Sequence, residues 1–298
     1  MTSPGIAWEP GAVPEPAGRP APRGRRLDLG RFLLRRAPLA CLLLSVFLVC
    51  AVFGPWIEPY DPNKIDLLQR LQGPSWAHLC GTDDYGRDIL SRLIAAARVA
   101  AAAAIIVIVI GGLVGTTIGL LAGGLGGTVD LVISRLVEVV QGFPVVLLAI
   151  GIVAILGPSL THAMLAAGIG AIPDFARISR GIALQLRRRE FVEAARSAGA
   201  SEIRILRTEV LPNLVGSLVV ITSFDAAQAV MYESALSFLG LGVQAPTASY
   251  GVMLSEAKAY LATAPYYAIF TGVSLALVIL GLNLIGDALS DYFDRSGA

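Results

Sequence analysis

The chain has few of the residues that build reactive sites. It carries three cysteines and two histidines. Cys41 and Cys50 fall inside an apolar run and Cys80 in a polar stretch, with no CxxC or Cys/His spacing. That pattern excludes a disulfide framework and a zinc-type centre. His78 and His162 stand alone in the sequence, so no metal ligation is expected. The two lysines, Lys64 and Lys258, do not follow glycine, so no GxxxxGK[ST] phosphate loop exists. No nucleophile–base constellation is visible either. Charge is also scarce, at 15% of residues with a net charge of +1, and nothing points to nucleic acid.

Apolar residues are abundant. They make up 55% of the chain, and the mean hydropathy is +0.70. A soluble domain has about 45–50% apolar and about 25% charged residues. Runs long enough to cross a hydrocarbon core of about 30 Å recur along the sequence. The expected class is an all-α membrane protein with six transmembrane helices. The spans are read at 37–57, 99–122, 131–156, 162–184, 214–236 and 266–289. Residues 1–36, rich in proline, glycine and arginine, read as a disordered tail. Residues 37–98 form a first helix with an external loop. Residues 99–289 form the core, and 290–298 a short C-terminal tail. Gly123, Gly124, Gly126 and Gly127 suggest a tight turn after the second span. Phe143-Pro144 should kink the third, because proline lacks the backbone donor.

Arginine placement sets the expected orientation. Arg19, Arg23, Arg25, Arg26, Arg31, Arg35 and Arg36 precede the first span, and Arg187, Arg188, Arg189, Arg196, Arg204 and Arg207 precede the fifth. An even number of crossings separates the two groups, so both termini and the loop at 187–213 should be cytoplasmic. That loop reads as two short helices around a corner. Residues 191–198 are helix formers, and Gly199 supplies a left-handed cap. Ser201 is an N-cap with Glu202 in the next turn, and Pro212 restarts the chain into the fifth span. A structured knob on a membrane face suggests a docking surface for a partner. The alternative is a capped connector.

The residues of this loop carry a resemblance. Glu193-Ala194-Ala195, Gly199 and Val210-Leu211-Pro212-Asn213 resemble the EAA loop of ABC importer permeases. The wider chain is similar to the second ("C") permease subunit of the dipeptide, oligopeptide and nickel importers. Gly81-Thr82-Asp83, Gly86-Arg87-Asp88 and Ser91-Arg92 match that subfamily, as do Phe143-Pro144, ESALSFLGLG at 233–242, and Asn283, Gly286 and Asp287. Thr208, Glu209, Ala96, Ala100, Ala245, Ala248 and Tyr250 depart from its usual pattern. The resemblance implies a type I importer permease fold in a bacterial inner membrane. It implies a transport subunit without its own ATPase site, working with a second homologous permease, ATP-binding-cassette ATPases that hold ATP and Mg, and an external substrate-binding protein. The substrate would be a peptide. Longer peptides, glutathione-like molecules and nickel are also served by the subfamily. Glu193, Ala194, Ala195, Gly199, Leu211 and Pro212 would couple the chain to the ATPase.

Other polar residues leave alternatives open. Asp225, Gln228 and Tyr232 are spaced to share a face of the fifth span, with Glu233 beside them. Asp225 falls roughly 20 Å along that helix from Pro212, where a charge is costly unless it meets water or a partner. These residues either line a solute path or bond between helices. Asp83, Arg87, Asp88 and Arg92 form either an external gate or binding-protein contact, or a cap and ion-pair cluster orienting the second span. Asp174 and Arg177 share a face of the fourth. A rival reading is an ATP-independent secondary transporter or channel. It would normally show several intramembrane ionisable groups and an internal repeat, and neither is evident here.

Overall fold

The computed structural model describes residues 29–296. Among them the chain is helical, with one isolated antiparallel bridge, Thr82 to Asp88, and no strand. The helices are α1 (Leu29–Arg36), α2 (Pro38–Ile57), α3 (Ile89–Leu125), α4 (Gly127–Gln141), α5 (Val145–Leu156), α6 (Leu160–Leu186), α7 (Glu190–Ser197), α8 (Glu202–Ile205), α9 (Leu211–Phe238), α10 (Tyr250–Ala257) and α11 (Pro265–Ser296). Four helical segments are long and apolar enough to cross a membrane, or five if α4 and α5 make one broken span. The 27-residue α6 is long enough but too polar to join that set.

Several expectations are corrected. Residues 1–28 lie outside the described residues, but Leu29–Arg36 form a helix rather than a tail, and the edge-on pair Phe32–Tyr292 holds it against α11. At the other end α11 runs to Ser296, so most of 290–298 is helix. The second span begins ten residues before 99, at Ile89, because the Asp88 carboxylate caps it by accepting from the Ser91 backbone N–H at 2.8 Å. Gly123 and Gly124 are buried inside α3, and only Gly126 and Gly127 turn the chain, at φ +68° and +56°. Phe143-Pro144 does more than kink the third span. It breaks it into α4 and α5, bent by 82°.

The α3–α6 seam is the spine of the fold. Gly111, Gly115, Gly119 and Gly123 repeat every four residues along one face of α3 and meet Ala171, Ile172, Ala176 and Arg180 of α6. A Cβ on Gly115 would sit 2.6 Å from the Ile172 carbonyl oxygen. Lipid supplies no hydrophobic drive between helices, so close backbone approach through small residues is what holds them. Ala96, Ala97, Ala100, Ala103 and Ala104 continue this packing towards Ala163, Ala166 and Ala167, all buried in one core. Helix α9 packs on both α3 and α6, and α11 packs on α9 and α2.

Candidate functional site

The loop between α6 and α9 is a rigid knob. Helix α7 ends in a Schellman motif: Ala200 N–H donates to the Ala195 carbonyl at 3.1 Å, and Gly199 N–H to that of Arg196 at 3.0 Å. Gly199 has φ +86°, the left-handed region that favours glycine. Ser201 caps α8 by accepting from Arg204 N–H. Arg196 closes the corner with two bonds to Glu202, at 2.7 and 3.1 Å. Beneath, Val192, Ile205, Leu206, Val210 and Leu214 bury against Ala183 of α6. The expected restart at Pro212 is absent. Residues 202–238 are one continuous helix, with a π turn at Leu206–Val210 feeding α9. Pro212 fits without a break because it sits in the first positions of α9.

This knob places its named residues outward. Glu193, Ala194, Gly199, Leu211 and Pro212 are exposed, and Ala195 is half-buried. Beside it an open groove of about 910 Å³ runs between the end of α6 and the start of α9, lined by Gln185, Arg188, Arg189, Phe191, Asn213 and Ser217.

On α9 the polar residues do not share one environment. Asp225 is buried, Gln228 exposed and Tyr232 half-buried. Glu233 is buried within the chain and accepts from the Ser237 hydroxyl at 2.8 Å, while Ser237 Oγ accepts from Val243 N–H at 3.0 Å. Glu233 thereby braces the chain as it leaves α9. Asp174 and Arg177 on α6 do pair, at 2.7 Å.

The far side holds a buried ion network. Asp83 and Arg92 are fully buried, and Arg87 and Asp88 nearly so. Arg87 Nε donates to Asp83 Oδ2 at 2.6 Å. Glu256 of α10 accepts from Arg87 at 3.2 Å, from Arg92 at 3.0 Å and from the Tyr267 hydroxyl of α11 at 2.7 Å. Asp88 caps α3 and also meets His78 Nδ1 at 2.9 Å. The four residues singled out from the sequence do come together, but turned inward, so an outside protein meets the segment they hold rather than their side chains. Asp83, Asp84 and Glu256 approach one another closely enough for an ion, but two guanidiniums already neutralise Asp83 and Glu256. Burial, with Asp83 and Glu256 nearby, pushes the Asp84 carboxyl above its ordinary value. Asp84 therefore opposes folding as pH rises through the carboxylate range. Sequence reasoning missed Glu256, Tyr267 and His78, because their partners lie far away in the chain. Glu256→Ala strands two buried guanidiniums and is expected to cost about 3 kcal/mol, the low end for breaking a buried pair because Asp83 remains. Thermal unfolding in detergent reads this, with Glu256→Gln milder.

Family models match two segments. Residues 115–296 match the binding-protein-dependent transport system inner membrane component. The chain belongs to that family. Residues 31–74 match the N-terminal TM domain of oligopeptide transport permease C. Among relatives, the dipeptide transport system permease protein DppC of Alkalihalophilus pseudofirmus is 40% identical over 253 residues, 85% of this chain and 83% of that one. The glutathione transport system permease protein GsiD of Escherichia coli O157:H7 is 42% identical over 256 residues, 86% and 84% of the two chains. The probable D,D-dipeptide transport system permease protein DdpC of Escherichia coli is 36% identical over 266 residues, covering 88% and 89%. In structure the chain resembles the inward-facing MetNI methionine ABC transporter, with TM-score 0.54 and 20% identity over 68% of this chain and 96% of that one. This likeness shows the fold of an importer permease.

Proposed function

We propose that this chain is the permease subunit of an ATP-driven peptide importer. It forms half of the translocation path beside a second homologous permease, receives solute from an external binding protein, and is driven by separate ATPase subunits. The observation that carries this reading is the continuity of the loop with the span. Glu193, Ala194, Ala195 and Gly199 sit on a capped knob, Leu211 and Pro212 lie at the root of α9, and residues 202–238 form a single rod. Force applied at the knob is delivered to the path as a tilt of α9. The arginines flanking the knob place it, with both termini, in the cytoplasm. Asp225, Gln228, Tyr232 and Glu233 belong to the span that moves. Asp83, Arg87, Asp88 and Arg92 fix the outer end of α3 as a gate element on which the binding protein rests.

The relatives named for dipeptides and glutathione favour a small peptide over nickel. The test is reconstitution. This chain in liposomes by itself is expected to give no uptake and no ATP hydrolysis. With its second permease, ATPases and binding protein it is expected to take up a dipeptide only when ATP is present. Uptake by the isolated chain would point instead to a self-sufficient carrier.

A further inference from the structure

Two charges sit inside a span where hydrocarbon would not tolerate them. Asp174 and Arg177 lie about 21 and 26 Å along α6 from its Leu160 end, at 1.5 Å per residue. They pair at 2.7 Å, yet their side chains are 52% and 58% exposed. Ionised groups at such depth face a water-filled path or another protein surface. Arg177 commits Nη2 to Asp174, which leaves its Nε and Nη1 edge open.

Asp225 on α9 brings a second carboxylate. It is 8% exposed, and its Oδ2 has no hydrogen-bond partner. Helix α9 packs against α6, and the charge that acts on Asp225 is that of Asp174. The next arginine along α6, Arg180, is already spent on Asp130 of α4, at 2.8 Å. Two carboxylates therefore share one guanidinium, and one negative charge is left over. A buried carboxylate without a partner is costly, and a cation supplied by the solute would relieve that cost.

We propose that Asp174, Arg177 and Asp225 form a charge-reading station within the path, which takes a small zwitterion with its ammonium group against the two carboxylates and its carboxylate against the open edge of Arg177. The proposal rests on the transport reading above and adds the chemistry of the solute: both termini free and charged. Gln228, one turn from Asp225 and exposed, marks the same stretch of α9.

The test uses the assembled importer with Cys41, Cys50 and Cys80 replaced by alanine and Gln228→Cys added. The new thiol is treated with cationic and anionic methanethiosulfonates of equal size. Val46→Cys on α2, at an apolar position 54% exposed, is the lipid-facing control. The Gln228→Cys thiol is expected to react at least about tenfold faster with the cationic reagent. Adding Asp225→Asn or Asp174→Asn should bring that ratio towards one. A dipeptide with free termini should slow the labelling, and its N-acetylated, C-amidated form should not. Labelling no faster than the Val46→Cys control, equal labelling by both reagents, or a ratio unmoved by Asp225→Asn would each overturn the station. ATP-driven uptake by the same complex is measured in parallel. If uptake persists in those cases, the station alone falls; if the parent complex shows none, the transport reading falls.

Discussion

Gly119→Ala is expected to destabilise the protein by about 2–3 kcal/mol, while the same substitution seven positions earlier, Gly112→Ala, stabilises it by about 0.5–1 kcal/mol. The two glycines share one helix and one propensity gain on becoming alanine. They differ in what the new methyl would meet. At Gly119 it would overlap the Ala176 carbonyl oxygen, a backbone atom of α6 that cannot turn aside. At Gly112 the nearest atom is a ring carbon of Phe175 at 3.7 Å, an ordinary contact. Forcing α3 and α6 apart at Gly119 also loosens the alanine-packed core that continues the seam. The measurement is thermal unfolding of the purified protein in detergent, with the amount of inserted subunit as a second readout. Equal effects at the two positions would show that the seam is not the spine of the fold.

Gly199→Val is expected to cut ATP-driven uptake by more than about tenfold while leaving insertion and folding intact. Nothing lies within 4 Å of a Cβ at this position, so crowding is not the cause. The backbone is. At φ +86° a β-branched residue pays at least about 1–2 kcal/mol, and α7 relieves that strain by changing its angle to α8. A tenfold loss corresponds to about 1.4 kcal/mol of misdirected coupling. Asparagine tolerates the left-handed region, so Gly199→Asn should retain most of the uptake. The comparison isolates geometry from side-chain chemistry. Uptake by the valine variant equal to that of the parent would remove the knob from the coupling path.

The membrane class and the permease fold were legible because both depend on local signals. Long apolar runs mark spans wherever they fall, and the corner at Gly199 and Ser201 is written in adjacent residues. The start of α3 was hidden. Residues 89–98 contain Arg92 and Arg98 and read as a polar loop, yet Arg92 is buried because Glu256 answers it from 164 residues away. No window on the sequence contains both partners. The glycine repeat of the seam was also overlooked, since Gly111, Gly115, Gly119 and Gly123 are dispersed within an apolar run and only their meeting with α6 gives them a common role. The break between α4 and α5 was underestimated for a related reason. Proline announces a missing donor, but the size of the bend is set by what the two halves pack against, here α3 and α6 for α4 and α6 for α5. Asp225 was placed correctly at mid-span, but its spacing with Gln228 and Tyr232 did not reveal that the three differ in exposure.

The five-residue π turn at Leu206–Val210 has a mechanical consequence. A rod transmits twist as well as tilt, and a π turn holds one residue more than the α-helix needs. Deleting a single residue there would restore ordinary winding and swivel everything beyond it by about 100°. Asp225 and Gln228 would then point in new directions while the knob kept its seat. The azimuth of the pore-facing side chains is thus a setting dialled at the root of the shaft, and a one-residue deletion retunes it without touching either end.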